Sequence, residues 1–243
     1  MPKIYSKPAL RRGPLARLPA CRKVSPAILG SSGGARILPW RPSEPDYGQA
    51  VDKVLASFRP RIDSALREQA EAPGLLDALL RHTPERRRVL TDNSSRFRSL
   101  ALCALLLESS RQEGYADPAE GERRAELVLA LTDRLDPEWY GSRVLEDVRA
   151  RGFMLIANAR RIACDLWGAE EAFRTAEAHL REGTGDRLER ARLHCLKACL
   201  RQEQRRFAEA ASLFQRAAAV FLAAGEADDL VETALAERAR SSF

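Results

Sequence analysis

The sequence predicts an all-α protein built from stacked helical hairpins, and two observations lead to that prediction. First, one pattern occurs twice: an alanine, a phenylalanine four residues later and an alanine three residues after that. The copies are Ala169, Phe173 and Ala176, and then Ala210, Phe214 and Ala217, so every member recurs at one fixed offset. Second, apolar and polar residues never alternate for long enough to indicate a strand. A fixed spacing of small and large residues indicates hairpins that bury their apolar faces by stacking on one another.

This pattern resembles the second helix of the tetratricopeptide repeat. Where that family usually has tryptophan, leucine, glycine and tyrosine in its first helix, the first copy has Phe153, Ile156, Ala157 and Arg160. In the same register the second copy has His194, Lys197, Ala198 and Arg201, and a shift by one residue would instead bring Leu193, Leu196 and Leu200 onto the packing face. The resemblance covers about residues 150–224. It implies a right-handed superhelical stack of antiparallel helix pairs, an α-solenoid.

Charge and proline content separate an N-terminal segment from the rest. Residues 1–43 contain nine Lys or Arg and no Asp or Glu, and the remaining 31 basic and 34 acidic residues give a net charge of −3. Eight of the 13 prolines lie in residues 1–45. We expect residues 1–45 to be a disordered basic arm; an organellar transit peptide, or translated sequence upstream of the true start, are alternatives.

Apolar residues at helical spacing predict about nine or ten helices over residues 46–243. Divergent helices are expected over 46–149, with a break or kink at Pro60 and a new short helix beginning near Pro73. Capping residues at 92–95 are expected to begin a helix that ends near Gly114, and Pro118 to begin the next. The two repeats follow over 150–224, and a helix over about 228–240 is expected to cap the stack within residues 225–243.

No residue set predicts catalysis, a metal site or a cofactor. The five cysteines form no Cys-x-x-Cys pair, and Cys195 and Cys199 beside His194 offer no fourth ligand, so we interpret them as packing residues. The three histidines stand in no nucleophile motif. The glycines at 183 and 185 precede Asp186, which is expected to cap a helix. An odd number of cysteines and the absence of an apolar run of about 20 residues favour a cytoplasmic protein outside the membrane.

The resemblance implies a peptide-binding groove on the helix before the first turn. Its residues would be Arg151, Met154, Asn158 and Arg161. Some family members use an asparagine at the position of Asn158 to hold a peptide backbone or terminal carboxylate, and Met154 replaces their lysine. Because Phe153, Ile156 and Ala157 are needed for packing, we expect Arg151, Asn158 and Arg161 to be available to a ligand.

These features predict a non-enzymatic scaffold or adaptor that binds an extended, possibly acidic, segment of another protein. A second hypothesis is a regulatory protein that contacts nucleic acid. That contact would be made by the basic arm or by a cluster of arginines, namely Arg81, Arg86, Arg87, Arg88, Arg96 and Arg98. A solvated helix face is the simpler interpretation of that cluster.

Overall fold

Helices account for the regular structure of residues 47–226, the part of the chain that the computed structural model describes. No strand occurs among these residues, so the all-α class is confirmed. The elements are α1 (Tyr47–Leu80), α2 (Pro84–Asn93), a 3-10 turn (Ser95–Phe97), α3 (Leu100–Glu113), α4 (Pro118–Thr132), α5 (Pro137–Tyr140), α6 (Ser142–Ile162), α7 (Leu166–Glu182), α8 (Arg187–Glu203) and α9 (Phe207–Ala224). The predicted basic arm and the predicted helix over 228–240 lie outside the described residues.

Helix α1 continues through both of its prolines, so Pro60 does not break the helix, and the predicted new helix at Pro73 is wrong. Each proline removes one backbone hydrogen bond and crowds one carbonyl of the preceding turn. Both prolines occupy exposed positions, where water can bond the carbonyl that loses its partner. The two prolines are 13 residues apart in a helix of 34 residues, so the backbone bonds that they remove fall in separate turns.

The cap of α3 also differs from the prediction. The helix begins after Ser99, whose Oγ accepts a hydrogen bond from the backbone N–H of Leu102 at 3.3 Å, and not after the candidates at 92–95. Glu68 of α1 accepts hydrogen bonds from Ser99 Oγ at 3.0 Å, from the N–H of Leu100 at 3.1 Å and from the Tyr140 hydroxyl at 2.9 Å. Burial and this last bond raise the pKa of Tyr140. One carboxylate thus fastens α1 to both α3 and α5.

Three helix pairs follow, α3 with α4, α6 with α7 and α8 with α9, and their members are in contact. Successive pairs also touch, since α4 packs on α6 and α7 packs on α8. The first helices of the pairs form contacts of their own, α3 with α6 and α6 with α8. Helix α6 therefore lies at the centre of the described stack.

The six repeat residues are all buried, and so are Ala157 and Ala198, the small residues that face them from α6 and α8. Phe173 packs with Ala157 and Ala169, and Phe214 packs with Ala198 and Ala210. The register that places Lys197 and Ala198 on the packing face is compatible with the fold. Ala198 is buried, and the Lys197 ammonium forms an ion pair with Glu177 of α7 at 2.5 Å. Leu193 and Leu200 are buried as well, toward α6 and α7.

The pair α3 and α4 repeats this arrangement with different residues. Gly121, Ala125 and Val128 of α4 have the same spacing as Ala169, Phe173 and Ala176 of α7, and they are buried. A Cβ on Gly121 would lie 2.6 Å from the Cα of Gly114, so these two glycines allow the backbones of α3 and α4 to meet.

Helix α9 is long and apolar enough to cross a membrane by length and composition alone. Its residues Ala210, Phe214, Ala217 and Phe221 are buried, and they pack against α8 residues such as Ala191 and Ala198. These four are the buried residues among the 18 of α9.

Candidate peptide-binding face

The predicted groove residues lie on α6 where it meets α8, and the site begins with Arg151. Its guanidinium donates through one terminal nitrogen to Glu189 Oε1 of α8 at 2.5 Å. The Arg151 side chain is 42% exposed, whereas that of Glu189 is 1% exposed. Arg151 thus extends from the surface of α6 to a buried carboxylate of α8.

Glu189 is held by a second arginine. Arg192, one turn further along α8, donates to the same Oε1 at 2.6 Å. A buried carboxylate is costly unless it is paired, and two cations share that role here. Within the described residues, Glu189 Oε2 and Arg151 Nε are buried and have no hydrogen-bond partner. The charge on Glu189 is balanced, but not all hydrogen bonds that it and Arg151 can form are made.

Asn158 and Arg161 form the other end of the face. Asn158 Oδ1 accepts hydrogen bonds from Arg161 at 3.2 Å and 3.0 Å. Arg161 also pairs with Glu203 of α8 at 3.2 Å. Both α6 side chains are mostly buried. Arg161 ties α6 to α8 through Glu203, and Asn158 holds Arg161 from the same helix. We call the surface formed by Arg151, Asn158 and Arg161 of α6 and by Glu189, Arg192 and Glu203 of α8 the α6–α8 face.

Met154 is not exposed on this face, contrary to the expectation from the resemblance. It is 3% exposed and packs with Ala150, Ala176 and Leu193 in the core between α6, α7 and α8. The contact of α6 with α8 is close enough to cover the position. Of the four predicted groove residues, only Arg151 keeps a substantially exposed side chain.

The loop from α7 to α8 is fixed against α6 by Asp147. Its carboxylate accepts hydrogen bonds from the backbone N–H of Thr184 at 3.2 Å and from the Thr184 hydroxyl at 2.5 Å. Asp186 caps α8 by accepting from the N–H of Leu188 at 2.8 Å, as the sequence predicts. The loop that precedes Glu189 is therefore held in place from both sides.

One kind of ion pair occurs twice between successive helix pairs. In each case an arginine on the first helix of a pair, α6 or α8, contacts a glutamate on the second helix of the preceding pair. Arg160 Nε donates to Glu122 of α4 at 2.8 Å, and Arg201 pairs with both carboxylate oxygens of Glu170 of α7. The bond from Arg201, opposed by burial, lowers the pKa of Glu170 to about 2. The two arginines take equivalent places in the two repeats, and each glutamate directly follows the first small residue of its helix. The sequence resemblance misses this pairing, because the family has a tyrosine where this chain has arginine.

The arginine cluster is divided by its contacts. Arg87 pairs with Glu120 of α4 at 2.5 Å and donates to the carbonyls of Leu80 and His82, so it is a structural link between α1, α2 and α4. Burial raises the pKa of Glu120, but bonds from three arginines, Arg87 among them, outweigh burial, so that pKa is lowered. The other five side chains of the cluster are exposed. The Arg96 guanidinium lies over the ring of Phe97, 5.9 Å from its centroid.

Beside this cluster, α2 and α4 enclose an open depression of about 200 Å³. Its charged lining is mixed, since it contains the arginines Arg87, Arg88 and Arg123 and the glutamates Glu85 and Glu126. No family model, curated protein or solved structure matches this chain. The site is therefore argued from its own geometry alone.

Proposed function

We propose that residues 47–226 form a tetratricopeptide-like interaction module, a scaffold or adaptor that binds an extended segment of another protein on the α6–α8 face. Three successive helix pairs with equivalent small residues at their contacts support a stacked repeat. Repeat stacks present extended surfaces along helices of the same kind. Here α3, α6 and α8 are such helices, and α6 is the central one.

The observation that carries the proposal is the sharing of Glu189 by Arg151 and Arg192. Because Arg192 also neutralises the buried carboxylate, Arg151 can turn toward a ligand without leaving Glu189 unpaired. A guanidinium binds a carboxylate through two parallel hydrogen bonds. Arg151 is therefore the proposed contact for an acidic side chain or terminal carboxylate. Arg161, held by Asn158, fastens α6 to α8 through Glu203.

The test begins with peptides selected from a displayed random library on the full chain, whose affinities are then measured by calorimetry. Arg151→Gln should weaken binding of the selected peptides about tenfold or more, equivalent to about 1.4 kcal/mol. Arg151→Lys should recover only part of that loss, because an ammonium cannot form the paired hydrogen bonds. Arg174→Gln, which changes an exposed arginine of α7, is the matched control. Equal affinity of the wild type and Arg151→Gln would exclude this site.

Nucleic-acid binding is the second candidate, supported by the exposure of Arg81, Arg86, Arg88, Arg96 and Arg98. Phosphate contacts release counterions, so affinity for nucleic acid should fall about tenfold or more between low and physiological salt. Changing Arg86 and Arg88 to glutamine should make the affinity for nucleic acid depend less steeply on salt concentration. Arg87 is not suitable for this test, since it links α2 to α4.

A further inference from the structure

The first half of α1 carries a stripe of apolar side chains that no described part of the chain covers. Each is between 50% and 58% exposed, and none belongs to a hydrophobic core cluster of the described residues. The stripe consists of Val51, Val54, Leu55, Phe58, Ile62 and Leu66. Exposed apolar patches of this kind on soluble proteins mark contact surfaces.

The spacing of the stripe is that of a coiled coil. Val51, Leu55, Phe58 and Ile62 are separated by four, three and four residues, the alternation that keeps one seam facing a partner helix. Pro60 lies on the opposite side of the helix from this seam. The proline therefore disturbs the backbone where no partner would pack.

We propose that a second copy of this chain covers the stripe, with the two α1 helices antiparallel. In the register that pairs Leu55 with the partner's Phe58, Val51 meets the partner's Ile62. The two-fold symmetry repeats both contacts, which gives four apolar layers. An isologous contact of this kind needs no other protein.

The charges beside the seam fit this register. Asp52 and Arg59 flank the seam on the same side, and in the antiparallel pair Asp52 lies opposite the partner's Arg59. Neither residue has an ion pair among the residues that the structure describes. Symmetry supplies the Asp52 to Arg59 contact twice.

The position of the core at one end of α1 favours the antiparallel orientation. Residues 51–66 span about 24 Å at 1.5 Å per residue. Helix α1 first contacts the rest of its own chain at Arg61, whose guanidinium lies over the Trp139 ring of α5 at 5.6 Å from its centroid. Its apolar side chains join the core only later, through Ala72, Leu75 and Leu79. An antiparallel pair places the two cores at opposite ends of the shared segment, whereas a parallel pair would bring both cores to the same end.

Sedimentation velocity on the full chain, from about 1 µM to about 100 µM, tests the proposal. We expect a reversible dimer, and Phe58→Asp should raise its dissociation constant at least tenfold. Val89→Asp changes another exposed apolar residue, on α2, and should have no effect. A wild-type chain that stays monomeric over the whole range would overturn the proposal, and would indicate that residues 1–46 or 227–243 cover the stripe.

Charge exchange tests the orientation independently of apolar packing. Asp52→Arg and Arg59→Asp should each raise the dissociation constant about tenfold, because each places like charges opposite one another. The double variant carrying both changes should return to within about threefold of the wild type, since every opposing pair is again of unlike charge. Failure of the double variant to recover would contradict the antiparallel register.

Discussion

Cys164 and Arg205 occupy the same position in two helix pairs and share a left-handed backbone, with φ of 65° and 58°. They lie just beyond the ends of α6 and α8. The following N–H bonds back to the carbonyl five residues earlier in both cases, Asp165 to Arg160 at 2.9 Å and Arg206 to Arg201 at 2.8 Å. Both helices thus end in the same Schellman motif.

Glycine at either position should stabilise the protein. A left-handed backbone is unfavourable for residues with a Cβ, and glycine adopts it without strain, although it loses more entropy on folding. We expect Cys164→Gly and Arg205→Gly each to raise the free energy of unfolding by about 0.5–1 kcal/mol, measured by urea denaturation.

The residues one position earlier provide matched controls. Ala163 and Gln204 have φ of −74° and −76°, which suit any residue. Glycine there should be neutral or destabilising, by up to about 1 kcal/mol. Stabilisation at Ala163 and Gln204 but not at Cys164 and Arg205 would contradict the equivalence of the two turns.

Truncation of the two repeat phenylalanines should have large and similar effects. Phe173 and Phe214 are buried between alanines, so Phe173→Ala and Phe214→Ala should each reduce the free energy of unfolding by about 3–5 kcal/mol. Phe207→Ala is the control, because that ring is 62% exposed, and it should change stability by less than about 0.5 kcal/mol. Melting of Phe214→Ala at the wild-type temperature would refute the repeat assignment there.

The alanine and phenylalanine spacing is sufficient to predict which faces of α7 and α9 are buried, because small residues at a fixed offset constrain how helices approach. Continuity of α1 through Pro60 is not predictable from local rules, since it depends on where the prolines lie relative to solvent. Burial of Met154 depends on how closely α8 approaches α6, and the pairing of Arg151 depends on Glu189 in the following helix pair. Local sequence patterns do not encode such distances.

Gly121 should tolerate no side chain. A Cβ there would lie 2.6 Å from the Gly114 Cα, and backbone atoms cannot move aside as a flexible side chain can. We expect Gly121→Ala to destabilise the protein by about 1–3 kcal/mol through overpacking. Gly74→Ala, where nothing lies within 4 Å of the added Cβ, should instead be stabilising by about 0.5–1 kcal/mol in thermal denaturation. Equal effects at the two glycines would contradict the close contact of α3 and α4.

The Arg201 to Glu170 pair should make stability depend on acid pH. The pKa of Glu170 is lowered in the folded chain from its usual 4.5 to about 2, chiefly by its bond from Arg201. Its contribution is therefore complete above about pH 4.5 and is lost as the pH falls through about 2. Glu170→Gln should be less stable than the wild type by about 1–2 kcal/mol at pH 7.

That difference should shrink as the pH is lowered through this window, in urea denaturation measured at each pH. Glu171→Gln, an exposed neighbour, controls for the change in net charge. A difference between the wild type and Glu170→Gln that stays constant from pH 7 to pH 2 would show that the ion pair does not stabilise the α7–α8 contact.

Hydrogen–deuterium exchange of the full chain, with and without a selected peptide, tests most directly whether the α6–α8 face is the binding surface. Backbone amides are protected where binding suppresses local opening. We expect added protection in α6 and α8 and in the loop of residues 183–186, with little change in α2 or α4. Protection confined to α2 and the 3-10 turn, with α6 and α8 unchanged, would contradict the account and assign binding to the arginine cluster.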